Sequence, residues 1–279
     1  MKFRILTLTI FIALTSCKSQ NLDENFMIDN DGITVEKPNK SKSYDDNYNI
    51  DNKIFKLDKN LTYSYYYIGK DNKKYLIKKG KEIKKENYTI FDWDFIEYYK
   101  QDDETISTIV FQATKGNPFP DIADYNQTSI IYRYVMNNGS FYTMEVSGAI
   151  DNEKNLWVHP PRSAFFQILE LNPFPYIKQP YKIGNKWNWK LNIGDHWSDK
   201  RWLEWKGQIE NIYNYEIIEK KTIPTNFGNL ECFVTKAIAK SRIGETELIS
   251  YFNKDYGFVK LEYKNIDGTK TILDLEKVE

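Results

Sequence analysis

The chain has 279 residues, and its 39 lysines and arginines balance 39 aspartates and glutamates, which excludes a global field that would gather nucleic acid or an acidic surface. That length suits one large domain or two small ones, and with only two cysteines the fold must rest on its core rather than on a disulfide framework. Aromatic residues make up 16% of the chain, including 21 Tyr and 7 Trp, and this composition with its plentiful β-branched residues favours strands.

Met1-Lys2-Phe3-Arg4 carries two positive charges, Ile5 to Leu14 is mostly apolar, and Leu14-Thr15-Ser16-Cys17 closes the stretch with small residues. A charged start, a short apolar run and a small-residue exit are the parts of a secretory signal. The run is too short to cross a bilayer, which takes roughly 20 apolar residues, and no later stretch approaches that length. A plain secretory signal needs no cysteine at its exit; Leu-Thr-Ser-Cys resembles the lipobox of bacterial lipoproteins. The resemblance implies that residues 1–16 are removed, that the Cys17 thiol receives diacylglycerol and its amine an acyl chain such as palmitate, and that the membrane is a partner through this anchor. Two chains suffice for stable attachment, at about 0.8 kcal/mol per buried methylene. The expected place is the cell envelope, on the outer membrane by preference, facing the periplasm or the cell surface.

Residues 17–50 are rich in Asn, Asp, Lys and Ser and show no apolar periodicity, which predicts a flexible tether of about thirty residues reaching on the order of 30 Å. Asp23-Glu24, soon after the anchor, is similar to the acidic export signals of surface lipoproteins of the Bacteroidetes group, and equally reads as solvated linker. From 51 to 175 a β-rich unit is expected. Leu61 to Ile68, Tyr75 to Ile77 and Thr105 to Gln112 are β-branched and aromatic runs, and Thr128 to Met136 meets Asn138-Gly139 before Ser140 to Val146 returns, a hairpin signature. Eight lysines between Lys70 and Lys85 are followed by six acids between Asp92 and Glu104, which reads as a solvated face rather than a nucleic-acid patch. Asn117-Pro118-Phe119-Pro120 and Asn172-Pro173-Phe174-Pro175 mark loops. Between them Ser163 to Leu171 is the best helix candidate, with Phe165, Ile168 and Leu169 on one face and Ser163 as its cap.

The unit from 176 to 279 has the plainest pattern. Gln208 to Ile218, Glu231 to Ala239, Glu245 to Phe252, Phe258 to Asn265 and Thr269 to Glu276 are runs separated by tight turns, as in an antiparallel meander with one wet and one dry face. Gly184-Asn185-Lys186-Trp187, Pro224 to Val234 around Cys232, and Tyr256-Gly257-Phe258-Val259 resemble a family of uncharacterised bacterial envelope proteins with Gly-x-x-Trp, Pro-Ala-Gly-x-Phe-x-Cys and Tyr-Gly-x-Val signatures. This chain has Thr225-Asn226-Phe227-Gly228 in place of Ala-Gly. The resemblance spans 176–279 and implies a curved half-barrel of the lipoprotein-carrier type, with no catalytic residue to carry over. The fold class expected overall is mainly β, an antiparallel meander forming a curved sheet or half-barrel with few short helices.

Chemistry-bearing residues are sparse. His159 sits near Arg162, whose guanidinium could hold a carboxylate or phosphate; His196 lies among Asp195, Trp197 and Asp199. Two separated histidines lack the ligand spacing of a zinc site, so no metal and no cofactor are expected. Cys232, inside an alternating strand, reads as a buried apolar thiol. Trp187, Trp189, Trp197, Trp202 and Trp205 crowd into 19 residues. They read either as aromatic core or, with Arg162 added, as an aromatic concavity binding an apolar ligand or an envelope protein. Two other classes stay open: an extracytoplasmic hydrolase using His159 or His196, and a structural subunit of an envelope complex.

Overall fold

A computed structural model describes residues 24–279, apart from 85, 87, 88 and 123. The signal segment and Cys17 lie outside the described residues. In chain order the strands are β1 (Phe26–Ile28), β2 (Thr34–Glu36), then, after a short helix α1 (Tyr44–Tyr48), β3 (Asn60–Ile68), β4 (Lys74–Lys84), β5 (Thr89–Glu97), β6 (Thr105–Thr114), β7 (Thr128–Met136), β8 (Phe141–Asp151), β9 (Asn155–Val158), β10 (Tyr176–Lys178), β11 (Lys186–Ile193), β12 (Ile209–Thr225), β13 (Gly228–Ser241), β14 (Gly244–Asn253), β15 (Gly257–Lys264) and β16 (Lys270–Val278). Every pairing between them is antiparallel, as the alternating patterns demand.

Neighbours in the large sheet run β10-β9-β8-β7-β6-β4-β3-β16-β15-β14-β13-β12-β11, with β5 paired on β4. The sheet bends until its ends nearly meet and is almost a closed barrel. Side chains span the remaining gap: Tyr176 of β10 lies 5.7 Å from Trp187 of β11, Trp157 of β9 lies 5.8 Å from Trp189, and Asn185 Nδ2 donates to Lys178 O at 3.4 Å and Pro180 O at 3.2 Å. Inward residues alternate along each strand. In β3 they are Leu61, Tyr63, Tyr65 and Tyr67, and in β12 Ile209, Asn211, Tyr213, Tyr215 and Ile217. Where β3, β4 and β6 diverge, the Tyr65 hydroxyl fills the interrupted ladder, accepting from Ile77 N (3.0 Å) and donating to Ile106 O (2.9 Å). The expected Asn-Gly hairpin joins β7 and β8, with Gly139 at φ 82°, a conformation that a side chain disfavours.

Two expected boundaries move. The division at 175/176 does not coincide with a break in the sheet: β16 from the C-terminal half pairs with β3 from the N-terminal half over Leu61 to Ile68. The tether expected over 17–50 is part of the body from Glu24 onward. There Phe26, Ile33, Val35 and Tyr48 are buried, and Thr34 O accepts from both Asn152 Nδ2 and Asn155 Nδ2 at the β8–β9 turn. These apolar residues come singly, so no periodicity announces them, yet each one packs.

The helix candidate is realised as a 3-10 segment, Ala164–Leu171, not an α-helix. Ser163 does not cap it; its hydroxyl donates to Glu145 Oε2 at 2.6 Å instead. Ala164 enters the segment at φ 54°, a left-handed conformation that costs a residue with a Cβ about 1 kcal/mol or more.

Candidate functional site

The concave face of the sheet is not open. Residues 164–174 run through it and supply its filling: Phe165, Phe166, Ile168, Leu169, Leu171 and Phe174 are all buried. Phe165 meets Tyr67 at 4.6 Å, Phe95 at 5.0 Å, and Trp93 and Trp202 at 5.9 Å, while Phe166 meets Tyr65 at 4.8 Å and Tyr134 at 5.8 Å. Backbone carbonyls and one side-chain amide of the same segment are held from the opposite wall. Leu171 O accepts from Asn211 Nδ2 (3.0 Å) and Thr246 Oγ1 (2.8 Å), Asn172 Nδ2 donates to Lys264 O (3.0 Å), and Phe174 O accepts from the Tyr215 hydroxyl (3.0 Å). The β4–β5 hairpin is tied to β8 by the Tyr142 hydroxyl, which donates to Phe91 O at 3.0 Å.

The tryptophans of the expected aromatic site divide between two places. Trp187 stacks on Tyr215 at 5.3 Å and Trp189 on Tyr213 at 4.8 Å, closing the seam between the sheet ends. Trp202 belongs to the cage around Phe165 and donates from Nε1 to Trp197 O at 3.2 Å. Trp189, Trp202 and Trp205 are 4%, 7% and 6% exposed, so these rings face the interior, whereas Trp187 and Trp197 are half-buried. Arg201 lies over Trp93 and Trp202, 4.4 Å and 5.4 Å from the ring centres. Arg162 is not with any of the five: its Nη2 donates to Val146 O at 2.8 Å, on the β8 side.

Arg162 belongs to a buried polar cluster that links the filling segment to the wall. Glu145 of β8 accepts from the Tyr134 hydroxyl (2.9 Å) and Arg162 N (2.8 Å) through Oε1, and from Ser163 through Oε2. The Tyr132 hydroxyl donates to His159 O. His159 Nδ1 lies 2.9 Å from Pro160 O, which can only accept, so this nitrogen carries the proton and Nε2 is left bare. Nε2 faces Arg162 Nη1 and Glu170 Oε1, both at 3.4 Å. At that separation the Glu170 contact is in ion-pair range but too long for a good hydrogen bond, and Oε1 lacks a proper donor. Burial pushes Glu170 up to about 8, with Glu145 adding to the rise and Arg162 opposing it. Burial and then Arg162 pull His159 down to about 3. Burial also raises Glu145. At neutral pH a protonated acid therefore faces a neutral imidazole, and an imidazole so weakly basic is a poor proton acceptor for hydrolysis. Pattern reading missed Glu145 and Glu170. A lone acid inside Phe165 to Leu171 is the signal that could have found the second.

The remaining candidates stand apart. His196 lies 5.0 Å from the Trp197 ring in a 3-10 turn, Asp195–Trp197, distant in sequence from the cluster above. Cys232 is buried, its thiol contacts Leu230 O at 3.6 Å, and burial together with Glu231 pushes it up to about 11, which keeps it in the unreactive thiol form. Among the described residues no group of three or more His, Cys, Asp or Glu is placed to hold a metal ion, and no helix is long and apolar enough to cross a membrane.

Surface recesses lie elsewhere. An open groove of about 810 Å³ runs along β11 and β12 beside Asp29–Gly32, with the edge of Trp189 in its floor. A smaller cavity of about 260 Å³ opens at one end of the barrel between Lys53 and Lys254.

No protein-family profile matches the chain, and no curated protein is significantly similar to it. Among solved structures, one described as an exported protein with a YmcC-like fold from Bacteroides fragilis is similar over 83% of this chain and 99% of its own, at 12% identity and a TM-score of 0.45. One described as a lipoprotein from Parabacteroides distasonis is similar over 81% and 97%, at 12% identity and 0.44. The hypothetical lipoprotein YmcC from Escherichia coli K12 is similar over 61% and 78%, at 10% identity and 0.32.

Proposed function

We propose that this chain is a lipid-anchored protein of the cell envelope, on the outer membrane, that works by binding, and that its aromatic concavity takes an apolar chain in exchange for residues 164–174. The observation that carries the reading is the occupancy of the concavity. An apolar stretch of the protein's own sequence lies against rings from β3, β5 and β7, in the place an acyl chain or an apolar peptide would take. This stretch carries features that the strand interiors around it lack. Its 3-10 hydrogen bonds are short-range and strained, it enters through Ala164 at positive φ, and it keeps a carboxyl group in an apolar interior.

Titration with a long-chain fatty acid tests the exchange. Saturable binding should shift the emission of the buried tryptophans and expose the Phe165 and Phe166 peptide bonds to chymotrypsin. Binding that leaves those bonds protected, or no binding at all, overturns the reading. The anchor is tested separately: Cys17→Ser should move the protein out of the membrane fraction and leave it unlabelled by radioactive palmitate. A variant that still fractionates with the membrane contradicts it.

A further inference from the structure

The cavity at the end of the barrel lies outside the concavity and has a composition of its own. The Lys53–Ile54 turn, the β8–β9 turn, the chain after β10 and the β14–β15 turn converge there around about 260 Å³, the volume of roughly nine liquid waters. Its floor is apolar: Ile54, Leu156 and Phe252 are 4%, 2% and 3% exposed. Its rim carries Lys53 and Lys254, both exposed and neither in an ion pair among the described residues. Lys254 Nζ sits 5.8 Å from the centres of both the Tyr181 ring, in the cavity lining, and the neighbouring Phe233 ring.

The one acid in the lining is already committed. Asp151 Oδ2 accepts from Ile54 N (2.7 Å) and Phe55 N (2.9 Å), holding the turn that forms one wall. The opposite wall is built to the same tolerance. Gly257, at φ 76°, stands where a Cβ would come within 2.7 Å of Ile54 Cγ2, so the β14–β15 turn can close on Ile54 only without a side chain there. The Tyr181 hydroxyl is pushed up to about 12 by burial and by Asp151, which keeps it a donor at any physiological pH. A guest therefore meets hydrogen-bond donors and positive charge at the rim and hydrocarbon below.

We infer that this cavity binds a small amphiphilic anion, a carboxylate or phosphate monoester on a short apolar group, with the head between Lys53 and Lys254 and the apolar part on Ile54, Leu156 and Phe252. The inference is independent of the exchange proposed for the concavity. Calorimetric titration of the full folded chain with hexanoate and with hexyl phosphate tests it, with acetate, inorganic phosphate and hexan-1-ol as comparisons. One or both amphiphiles should bind saturably, and each comparison compound, lacking either head or tail, should bind more weakly by roughly tenfold or more. The exposed double variant Lys53→Gln/Lys254→Gln should keep the wild-type urea midpoint and lose binding by a similar factor. Absence of saturable binding by both amphiphiles overturns the inference. So does acetate or phosphate binding as tightly as its hexyl counterpart, or an unchanged affinity in the double variant. Chymotrypsin protection at Phe165 should not change with hexanoate, which separates this site from the concavity.

Discussion

Phe165→Ala is expected to destabilise the protein by about 3–5 kcal/mol, the range for deleting a fully buried aromatic ring. Phe165 is 3% exposed and touches aromatic rings from β3, β5 and the loop before β12. Each such pair contributes about 0.5–1.5 kcal/mol beyond its buried area. The lost volume cannot collapse easily, because Tyr67 and Phe95 are carried on paired strands whose backbones cannot shift inward without breaking ladder hydrogen bonds. Phe119→Ala is the matched control. That ring is 37% exposed and meets Tyr125 at 5.3 Å in a loop, so its loss should cost about 1 kcal/mol or less. Urea unfolding of both variants decides the matter. A cost below about 1 kcal/mol at Phe165 would mean that the segment is not seated as described.

The second large effect is on the pH dependence of stability, and Glu170 is its source. Its carboxyl stands near 8 in the folded protein against 4.5 for the ordinary side chain, so the folded state binds the extra proton between those values. The stabilisation from that bound proton is complete below pH 4.5 and is lost as pH rises toward 8, at about 1.4 kcal/mol per pH unit. Glu170→Gln keeps the size and removes the titration. The stability of wild type minus that of the variant should therefore fall steadily from pH 5 to pH 8. Glu36, raised to about 7 by burial, adds a decline of the same sign to both proteins. His159, lowered to about 3, contributes the opposite slope below 6.5 to both. The Glu36 contribution drops out of the difference, and from pH 6.5 to pH 8 the fall is free of the His159 contribution as well. Denaturation midpoints taken at several pH values measure it, and parallel profiles for the two proteins would contradict the assignment.

Much of this fold can be read from residue patterns, because strands that bury one face must alternate. The runs at Leu61–Ile68, Thr128–Met136 and Phe258–Lys264 are recognisable for that reason. The Asn-Gly turn likewise specifies the β7–β8 hairpin. Residues 24–50 were illegible because their contribution is made by isolated side chains such as Phe26 and Val35, each finding its place through tertiary contact. The helix expected over Ser163 to Leu171 takes the 3-10 form, which the pattern leaves open because Phe165 and Ile168 satisfy both spacings, and the positive φ at Ala164 leaves no trace in the residue type. The tryptophan cluster was visible as a cluster. Whether such rings face a ligand or a core depends on what lies opposite, and here the opposite face is supplied by residues 11 to 37 positions earlier in the chain. The pairing of Glu145 with Ser163 and Tyr134 had no signature, since it joins a strand, a loop and a neighbouring strand by side chains alone.

The burial of Phe26, nine residues after Cys17, changes what the anchor would do. Glu24 stands seven residues after Cys17, and seven residues fully extended span at most about 25 Å. With lipid on Cys17, the end of the molecule that carries Glu24, Lys37, Lys42 and the exposed Ile50 is confined to the neighbourhood of the headgroups. A body held that closely cannot patrol the space between two membranes. So anchored, it would sample a thin layer, and its encounters would become a search in two dimensions. Whatever it met would also have to live on that surface or be delivered to it.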